Sequence, residues 1–213
     1  MCARAIDSED KAARRAEILS AARRLFLHDS RQLPSVAQIA TEAGLAKGTV
    51  YLYFQTKEEI FFALLNEYFA GLLQAVHAVF EAPASDDVLT RFMTRYLAYL
   101  DACPELLRLD AMAYSVLERN LDDVILRAFK LELLQGLTAT AALIEDRLGL
   151  SAGRGLNLLM RTYALTRGLW QSLDYPPNLK LLLADPVFAP IRPDFRSELG
   201  AALSEYWRGA LES

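Results

Sequence analysis

The sequence predicts an all-α fold in which a small three-helix head precedes a larger helical body. Apolar residues recur at helical spacing along most of the 213 residues, and no alternating β pattern of useful length is present. Breaks between the helical segments are marked by Gly44, Pro83, Pro104 and Gly149. Because 53% of the residues are hydrophobic, the chain can bury a sizeable helical core.

The stretch from residue 35 to residue 57, SVAQIATEAGLAKGTVYLYFQTK, organises the head. Ser35 and Gln38 have the spacing of a capping box, which predicts the start of a short helix. Gly44 is placed to end that helix in a left-handed conformation. A second short helix follows at once. Two short helices joined by a glycine turn are typical of a helix-turn-helix, whose second helix is free to enter the DNA major groove.

The second short helix has an inward and an outward face. Val50 and Phe54 lie four residues apart and predict the inward face. Thr49 can hydrogen-bond a base edge or a phosphate, and Leu52 can meet a thymine methyl unless it packs on a neighbouring helix. A residue without a side chain, such as Gly48, allows close approach of the backbone to DNA. The predicted outward face comprises Gly48, Thr49, Tyr51 and Leu52.

The charge distribution permits DNA binding without demonstrating it. The net charge is −4, but residues 1–60 hold nine Lys/Arg and eight Asp/Glu, a balance of +1. The remainder holds 14 and 19, a balance of −5, and should face away from a polyanion. Arg14 and Arg15 are candidates to approach phosphate, whereas Arg23 and Arg24 are expected on a solvated surface.

The helix expected over about 57–81 could be mistaken for a membrane span, because residues 60–80 carry one acidic residue, Glu67. Its polar residues fall on one side of the helical wheel, which indicates a soluble, mostly buried amphipathic helix. No signal peptide is expected, since the N-terminus is charged and lacks an apolar run. Other helices are expected over about 10–28, 86–100, 104–119, 121–148, 152–173 and 194–211.

The helix expected over 152–173 is apolar on two opposite sides. Tyr163 and Trp170 lie on one side, and Leu165 and Leu169 lie on the other. One side can face the subunit's own core, and the other can face the same helix of a second subunit, because twofold symmetry makes such a patch self-complementary. The alternative is a helix central to the core of a monomer.

The final helix would complete a four-helix dimer interface. It follows a segment, 174–193, that holds five of the eight prolines and is interpreted as a linker or lid. The predicted interface residues are Leu158, Leu165, Leu169, Leu173, Leu199, Leu203 and Tyr206.

The run ILSAARRLF, followed by SVAQIATEAGLAKGTVYLYFQTKEEIFFALL, resembles the N-terminal domain of TetR-family transcriptional regulators. The resemblance covers about residues 18–65. The remaining chain is similar to the family only in helical layout and length. Two departures are Ala46, where relatives often have a capping serine, and the turn at Asp29 and Ser30, where relatives often have glycine.

The resemblance implies an all-helical homodimer whose two heads bind a palindromic operator. A small molecule in the larger domain would change the separation of the heads. The implied domains are a helix-turn-helix DNA-binding domain over 1–56 and a helical effector-binding and dimerisation domain over 57–213. With the outward face, the predicted DNA-binding residues are Ser35, Gln38, Lys47, Gly48, Thr49, Tyr51, Leu52, Tyr53 and Lys57. For Tyr53, partial core packing is an equal alternative.

The effector pocket is expected among the body helices and should be largely apolar. Arg167, if buried there, would indicate an acidic ligand or an internal carboxylate, and its alternative place is the edge of the dimer. The predicted ligand-binding residues are Phe92, Tyr96, Met112, Phe129, Tyr163, Arg167 and Trp170.

Catalysis is not expected from this sequence. His28 and His77 are the only histidines, and neither has a nucleophile or carboxylate at useful spacing. Cys2 and Cys103 have no metal-ligand spacing, so no disulfide, metal or cofactor is expected, as suits a reducing compartment.

We therefore expect a cytoplasmic, dimeric, ligand-responsive repressor with operator DNA and a small-molecule effector as partners, and no membrane. The alternative is a helical small-molecule-binding or protein-interaction module without DNA binding.

Overall fold

The computed structural model describes residues 2–28, 32–83 and 87–212, with side chains from residue 10 onward. In those ranges the chain is all-α and contains no strand, which confirms the predicted fold class. The α-helices are α1 (Cys2–His28), α2 (Val36–Glu42), α3 (Lys47–Tyr51), α4 (Lys57–Glu81), α5 (Val88–Ala102), α6 (Glu105–Met112), α7 (Asp123–Leu148), α8 (Arg154–Leu173), α9 (Pro177–Leu182) and α10 (Phe195–Leu211).

Helix α1 begins eight residues before the predicted start at residue 10. Helix α6 continues as a π-helical turn over Ala113–Leu117 and a 3₁₀ turn over Glu118–Asn120. The segment expected to be a linker or lid contains α9 and a 3₁₀ helix, Pro186–Ile191. The predicted turn at Asp29 and Ser30 and the predicted helix start at Asp86 lie outside the described residues.

The chain forms two compact units that differ from the division predicted at residues 56 and 57. Unit 1 comprises Met1–Phe69 and Cys103–Lys130, and unit 2 comprises Ala70–Ala102 and Leu131–Ser213. Helices α4 and α7 each contribute to both units. The compact units do not test which function each predicted domain has. The assignment of DNA binding to 1–56, and of effector binding and dimerisation to 57–213, therefore remains a prediction.

The core of unit 1 joins the helix-turn-helix to α1, α4 and α6. Ile18, Ile39 and Val50 are fully buried, and the rings of Phe26 and Phe61 pack 5.6 Å apart. Burial of such aliphatic and aromatic surface, at about 25 cal/mol per Å², is the main stabilising contribution to this arrangement.

A buried carboxylate ties α6 to α1 and α4 within unit 1. Glu105 is only 1% exposed and accepts hydrogen bonds from Arg23 of α1 and from the Tyr68 hydroxyl of α4, the latter at 2.8 Å. Burial, and then the hydrogen bond to Glu105, raise the pKa of Tyr68, so its hydroxyl stays protonated and donates. Arg23, which was expected on a solvated surface, is 42% exposed, but its guanidinium also pairs with Glu105, because a buried carboxylate requires a cationic partner.

The core of unit 2 is an aromatic cluster. The Phe92 ring packs against Phe80, Tyr96 and Trp207 at centroid distances of 5.7, 5.7 and 4.7 Å. The indole Nε1 of Trp207 donates to the Thr162 Oγ1 at 2.9 Å. Phe92 is fully buried by these contacts and packs in the core of unit 2, and its predicted role in ligand binding stays a prediction.

Helices α8 and α10 each bury one face within unit 2. Thr162 and Thr166 lie on the buried face of α8, where their hydroxyls donate to the carbonyls four residues earlier at 2.8 Å. Leu158, Leu199 and Leu203 are at most 1% exposed. These three leucines were predicted at the dimer interface, and that prediction is wrong because the subunit's own core already covers them.

Among the described helices, α4 alone is long and apolar enough to cross a membrane, with a mean hydropathy of 1.2 over its most apolar 18 residues. In this protein 56% of that stretch is buried. Ile60, Phe61 and Phe62 are essentially inaccessible, while Glu67 and Gln74 are exposed. This distribution is that of an amphipathic core helix, as predicted.

Candidate nucleic-acid interface

The helix-turn-helix has the local geometry that the sequence predicted. Ser35 caps α2: its Oγ accepts from the Gln38 amide at 3.3 Å, and the Gln38 Oε1 accepts from the Ser35 amide at 2.9 Å. After α2 the chain turns through Gly44 at φ +68°, a conformation that glycine adopts without strain. The reciprocal cap and the glycine turn together fix the direction in which α3 leaves α2.

Helix α3 turns the predicted faces inward and outward. Val50 is fully buried and Phe54 is 5% exposed, so these residues anchor the helix. Leu52 is 77% exposed and Tyr51 is 40% exposed. Gly48 is exposed as well, with no atom within 4 Å of the position that a Cβ would occupy. The outward face is therefore open to a partner.

Cationic and aromatic groups lie together on this face. The Lys47 Nζ is 5.8 Å from the centre of the Tyr51 ring, within cation–π range. Thr49 and Tyr53 are half-buried, so each is held in place while part of its side chain remains accessible. No side chain caps α3, since Ala46 stands at the cap position, as the sequence indicated.

Ser35 and Gln38 have less freedom to bind DNA than the outward face. The Ser35 hydroxyl also donates to the Gln38 Oε1 at 2.8 Å, so the hydroxyl and the amide oxygen are both engaged in the cap. The Nε2 of Gln38 is the group of this pair that the cap does not use. Any contact of Gln38 with DNA would therefore be as a donor.

Lys57 is the first residue of α4 and is half-buried. The Thr56 Oγ1 accepts from the Glu59 amide at 3.1 Å, as in one half of a capping box. The Glu59 carboxylate accepts from the Gln55 amide at 2.8 Å, one residue before the Thr56 amide that a complete capping box would use. Lys57 thus combines its own charge with a helix N-terminus, an arrangement that favours phosphate.

Ion pairs compensate several arginines of the head. Arg14 pairs with Glu17 at 2.7 Å and Arg15 pairs with Glu67 at 3.3 Å, both at exposed positions. Exposed pairs of this kind contribute at most about 1 kcal/mol, so a phosphate can replace the carboxylate. Arg24 was expected on a solvated surface; its side chain is half exposed and its Nε lies 2.6 Å from Glu42.

A groove beside the outward face contains Arg14, which was already a phosphate candidate, and a second basic residue, Lys11, that the sequence did not single out. Lys11 and Arg14 of α1 line it together with Leu52 and Tyr53, and its volume is about 480 Å³. Asp10 is the fifth lining residue. The signal in the sequence was the spacing of Lys11 and Arg14, which places both on one side of α1. This groove adds Lys11 to the candidate phosphate contacts.

A second open surface lies on α8 and α10 of unit 2. It is a groove of about 620 Å³, to which the predicted residues Leu165, Leu169 and Tyr206 contribute. Leu173 is half-buried and does not line it. The lining residues that the sequence interpretation missed are Arg161, Ala164, Gly168, Ser172, Glu198 and Ala202.

The predicted ligand-binding residues are divided between the two units. Met112 and Phe129 belong to unit 1, where Phe129 packs edge-on against Phe62 at 4.9 Å. The other members belong to unit 2 and are Phe92, Tyr96, Tyr163, Arg167 and Trp170. Burial raises the pKa of Tyr96, whose hydroxyl lies 2.9 Å from the Thr166 Oγ1. Neither unit holds the whole set, and the effector pocket remains a prediction.

A metal site has no support in the part of the chain that the structure describes, where no group of three or more His, Cys, Asp or Glu side chains could hold an ion.

Two family models match almost the whole chain. The model of bacterial regulatory proteins of the tetR family matches residues 18–64, which include the helix-turn-helix. The model of the tetracyclin repressor-like C-terminal domain matches residues 66–213.

Two curated proteins of Bacillus subtilis strain 168 are similar to part of this chain. An uncharacterized HTH-type transcriptional regulator, YfiR, is 39% identical over 56 residues, which are 26% of this chain and 27% of the relative. A fatty acid metabolism regulator protein is 39% identical over 51 residues, 24% of this chain and 26% of the relative. The chain therefore spans about a quarter of the length of each relative that it matches.

Solved structures share the fold over nearly the full length. A putative tetR-family transcriptional regulator from Mesorhizobium loti has a TM-score of 0.60 at 21% identity, with 95% of both chains covered. The transcriptional regulator FadR from B. subtilis, solved in complex with stearoyl-CoA, has a TM-score of 0.54 at 19% identity and covers 89% of this chain and 95% of its own. At such identities the likeness concerns the fold.

Proposed function

This chain belongs to the TetR family of bacterial regulatory proteins, whose members are ligand-responsive, DNA-binding transcriptional repressors, and we propose that it represses transcription by binding a palindromic operator as a homodimer in the cytoplasm. The observation that carries the proposal is the outward face of α3. Gly48, Tyr51 and Leu52 are open to a partner because Val50 and Phe54 hold the opposite face in the core.

The chemistry of the face determines which group each residue meets. Thr49 and Leu52 contact base edges, where a hydroxyl can hydrogen-bond and an aliphatic side chain can meet a thymine methyl. Lys47, Lys57 and Lys11 contact phosphates, with Tyr51 and Tyr53 donating through their hydroxyls. The phosphate contacts set the position of the head, and the base contacts set its sequence preference.

The homodimer is proposed from the groove on α8 and α10. Its small residues, among them Ala164, Gly168 and Ala202, allow the helices of a second copy to approach closely, and Leu165 and Leu169 offer apolar surface. Two heads held about one DNA turn apart, roughly 34–36 Å, would fit the half-sites of a palindrome.

A small, largely apolar effector is proposed to release the operator. Its binding would shift α4, which begins at Lys57 beside the recognition helix and runs to Glu81. Such coupling is reciprocal, so the effector must weaken operator binding by the same factor as the operator weakens effector binding.

The test uses the purified full chain and the DNA upstream of its own gene. We expect the protein to retard that DNA in a gel, with the logarithm of the affinity falling linearly with the logarithm of the salt concentration. A scrambled sequence of equal length should bind much more weakly. Equal affinity for both sequences would overturn the operator proposal. No binding of either DNA at low salt would favour a module that does not bind DNA.

The effector proposal has a separate test. A panel of apolar compounds, including fatty acids and acyl thioesters of increasing chain length, is titrated against the protein–operator complex. Release of the operator by one compound, with matching loss of that compound's affinity on operator DNA, is the expected result. A compound that binds the protein without any such reciprocal effect would contradict the coupling through α4.

A further inference from the structure

We propose that Arg161 and Glu198 form an ion pair across the dimer, twice per dimer, and that this pair sets the relative direction of the two subunits. The inference rests on the proposed homodimer and specifies its contact. Both residues line the groove on α8 and α10, and both are exposed. The partner that this surface fits is therefore a second copy of the chain.

The two charges lie at opposite ends of the groove. Trp207 of α10 donates to Thr162 of α8, and Arg154 near the start of α8 donates to the carbonyl of Ala210 near the end of α10. The helices are thus antiparallel. Trp207 lies beside Thr162, the neighbour of Arg161, and Glu198 precedes Trp207 by nine residues on α10. At 1.5 Å per residue, Glu198 is therefore roughly 14 Å from Arg161 along the groove.

Neither charge is compensated within the subunit. In the described part of the chain, no hydrogen bond or ion pair involves the side chain of Arg161 or that of Glu198, although other exposed charges of the same helix find partners. Arg196 of α10, for example, pairs with Asp101 of α5. The separation of about 14 Å also exceeds the reach of a direct pair between Arg161 and Glu198 of one subunit.

Twofold symmetry decides which charges meet. An axis that lies in the interface and crosses the groove at right angles exchanges its two ends, so Arg161 of each copy comes to the end that holds Glu198 of the other. An axis that runs along the groove would bring like ends, and like charges, together. Opposite charges at the two ends therefore favour the first arrangement and disfavour the second.

The middle of the groove supports close contact in that arrangement. Ala164, Gly168 and Ala202 are small, and no atom lies within 4 Å of the position that a Cβ of Gly168 would occupy. Leu165 and Leu169 add apolar surface between the charged ends. Association thus derives its affinity from the middle and its direction from the ends.

The experiment uses two charge-reversed full chains, Arg161→Glu and Glu198→Arg, singly and mixed. Each variant alone places two like-charged contacts in its homodimer, so its dimer dissociation constant in sedimentation equilibrium should rise about tenfold or more. An equimolar mixture restores two opposite-charged contacts, and its heterodimer should return to within about threefold of the unmodified affinity. Arg208→Glu, an exposed charge reversal on the side of α10 away from the groove, is the matched control and should leave the dimer unchanged.

The outcomes separate this inference from the dimer itself. A mixture that associates no better than either variant alone would overturn the cross-subunit pair while the unmodified chain still dimerises. An unmodified chain that stays monomeric at all concentrations would instead overturn the proposed homodimer. Circular dichroism of both variants should match the unmodified chain, because both side chains are exposed.

Discussion

Gly48 in α3 and Gly168 in α8 are both exposed glycines with open space around them, yet their surroundings are of opposite kinds. Around Gly48, the residues of the outward face itself come from one run of six residues, 47–52, and they combine cationic, aromatic and polar groups with the exposed Leu52. Around Gly168, the lining residues come from two helices separated by the 174–193 segment, and the middle of the groove is small and apolar.

This difference explains why one surface suits a polyanion and the other suits a second copy. DNA is recognised by a short protruding element that enters a groove, and a contiguous motif is sufficient for that. A twofold interface requires a broad self-complementary patch, which residues distant in sequence must form together. Neither glycine is required by its backbone conformation, since neither has a positive φ. Substitutions at both positions therefore test the surfaces and not the fold.

The largest effect on dimerisation is expected from Gly168→Trp, which fills the groove from within. The dimer dissociation constant should rise at least 100-fold, equivalent to about 2.7 kcal/mol, because the second copy can no longer approach. Analytical ultracentrifugation is the measurement. Gly48→Trp, at an exposed glycine of α3 that also has open space around it, is the control and should leave the dimer intact. Equal dimerisation of both variants would remove the groove from the interface.

Truncating a buried leucine and an exposed leucine of unit 2 should distinguish effects on folding stability from effects on dimerisation. Leu203→Ala removes a fully buried side chain and should lower the free energy of unfolding by about 2–5 kcal/mol in urea titrations. Leu165→Ala, 39% exposed in the groove, should instead weaken dimerisation with little change in the unfolding of the monomer. The opposite pattern would restore Leu203 to the interface and remove Leu165 from it.

At the head, Gly48→Leu should reduce operator affinity by about 100-fold, because a bulky side chain prevents close approach of the backbone to DNA. Fluorescence anisotropy with labelled operator is the measurement, and the dimer should remain folded. Gly48→Ala adds only one methyl group and should have a much smaller effect. If Gly48→Leu binds normally, the face of α3 does not lie against the DNA.

Lys57→Gln should weaken binding to specific and non-specific DNA alike. Each lost phosphate contact lowers the slope of log affinity against log salt by about 0.9, so the dimer should lose about 1.8. Lys11→Gln is expected to act in the same way if the groove on α1 lies along the backbone. A slope unchanged by either substitution would exclude that lysine from phosphate contact.

The smallest effect is expected from Leu52→Ala. Loss of one apolar contact with a thymine methyl should relax discrimination at a single position of each half-site by about 1 kcal/mol. Selection from a library of operator variants gives this discrimination position by position. Unchanged preference at every position would mean that the exposed Leu52 does not contact bases.

The sequence by itself determined the elements whose signals are local. The cap formed by Ser35 and Gln38, the left-handed Gly44 and the inward positions of Val50 and Phe54 all follow from spacings of four residues or fewer. The outward face of α3 followed from these anchors without knowledge of anything distant. The motif over residues 18–65 was sufficient to indicate the family for the same reason.

Only the tertiary structure decided which of two apolar faces a helix buries. The helical wheel of α8 has two apolar sides, but the face that is buried includes Thr162 and Thr166. These threonines tolerate burial because their hydroxyls donate to backbone carbonyls of the same helix, and the Thr162 hydroxyl also accepts from Trp207. The pairing of Arg23 with Glu105, 82 residues further along the chain, could not be predicted from the sequence either. Burial and long-range pairing depend on which elements meet, and a periodic pattern records that a face is apolar without recording what covers it.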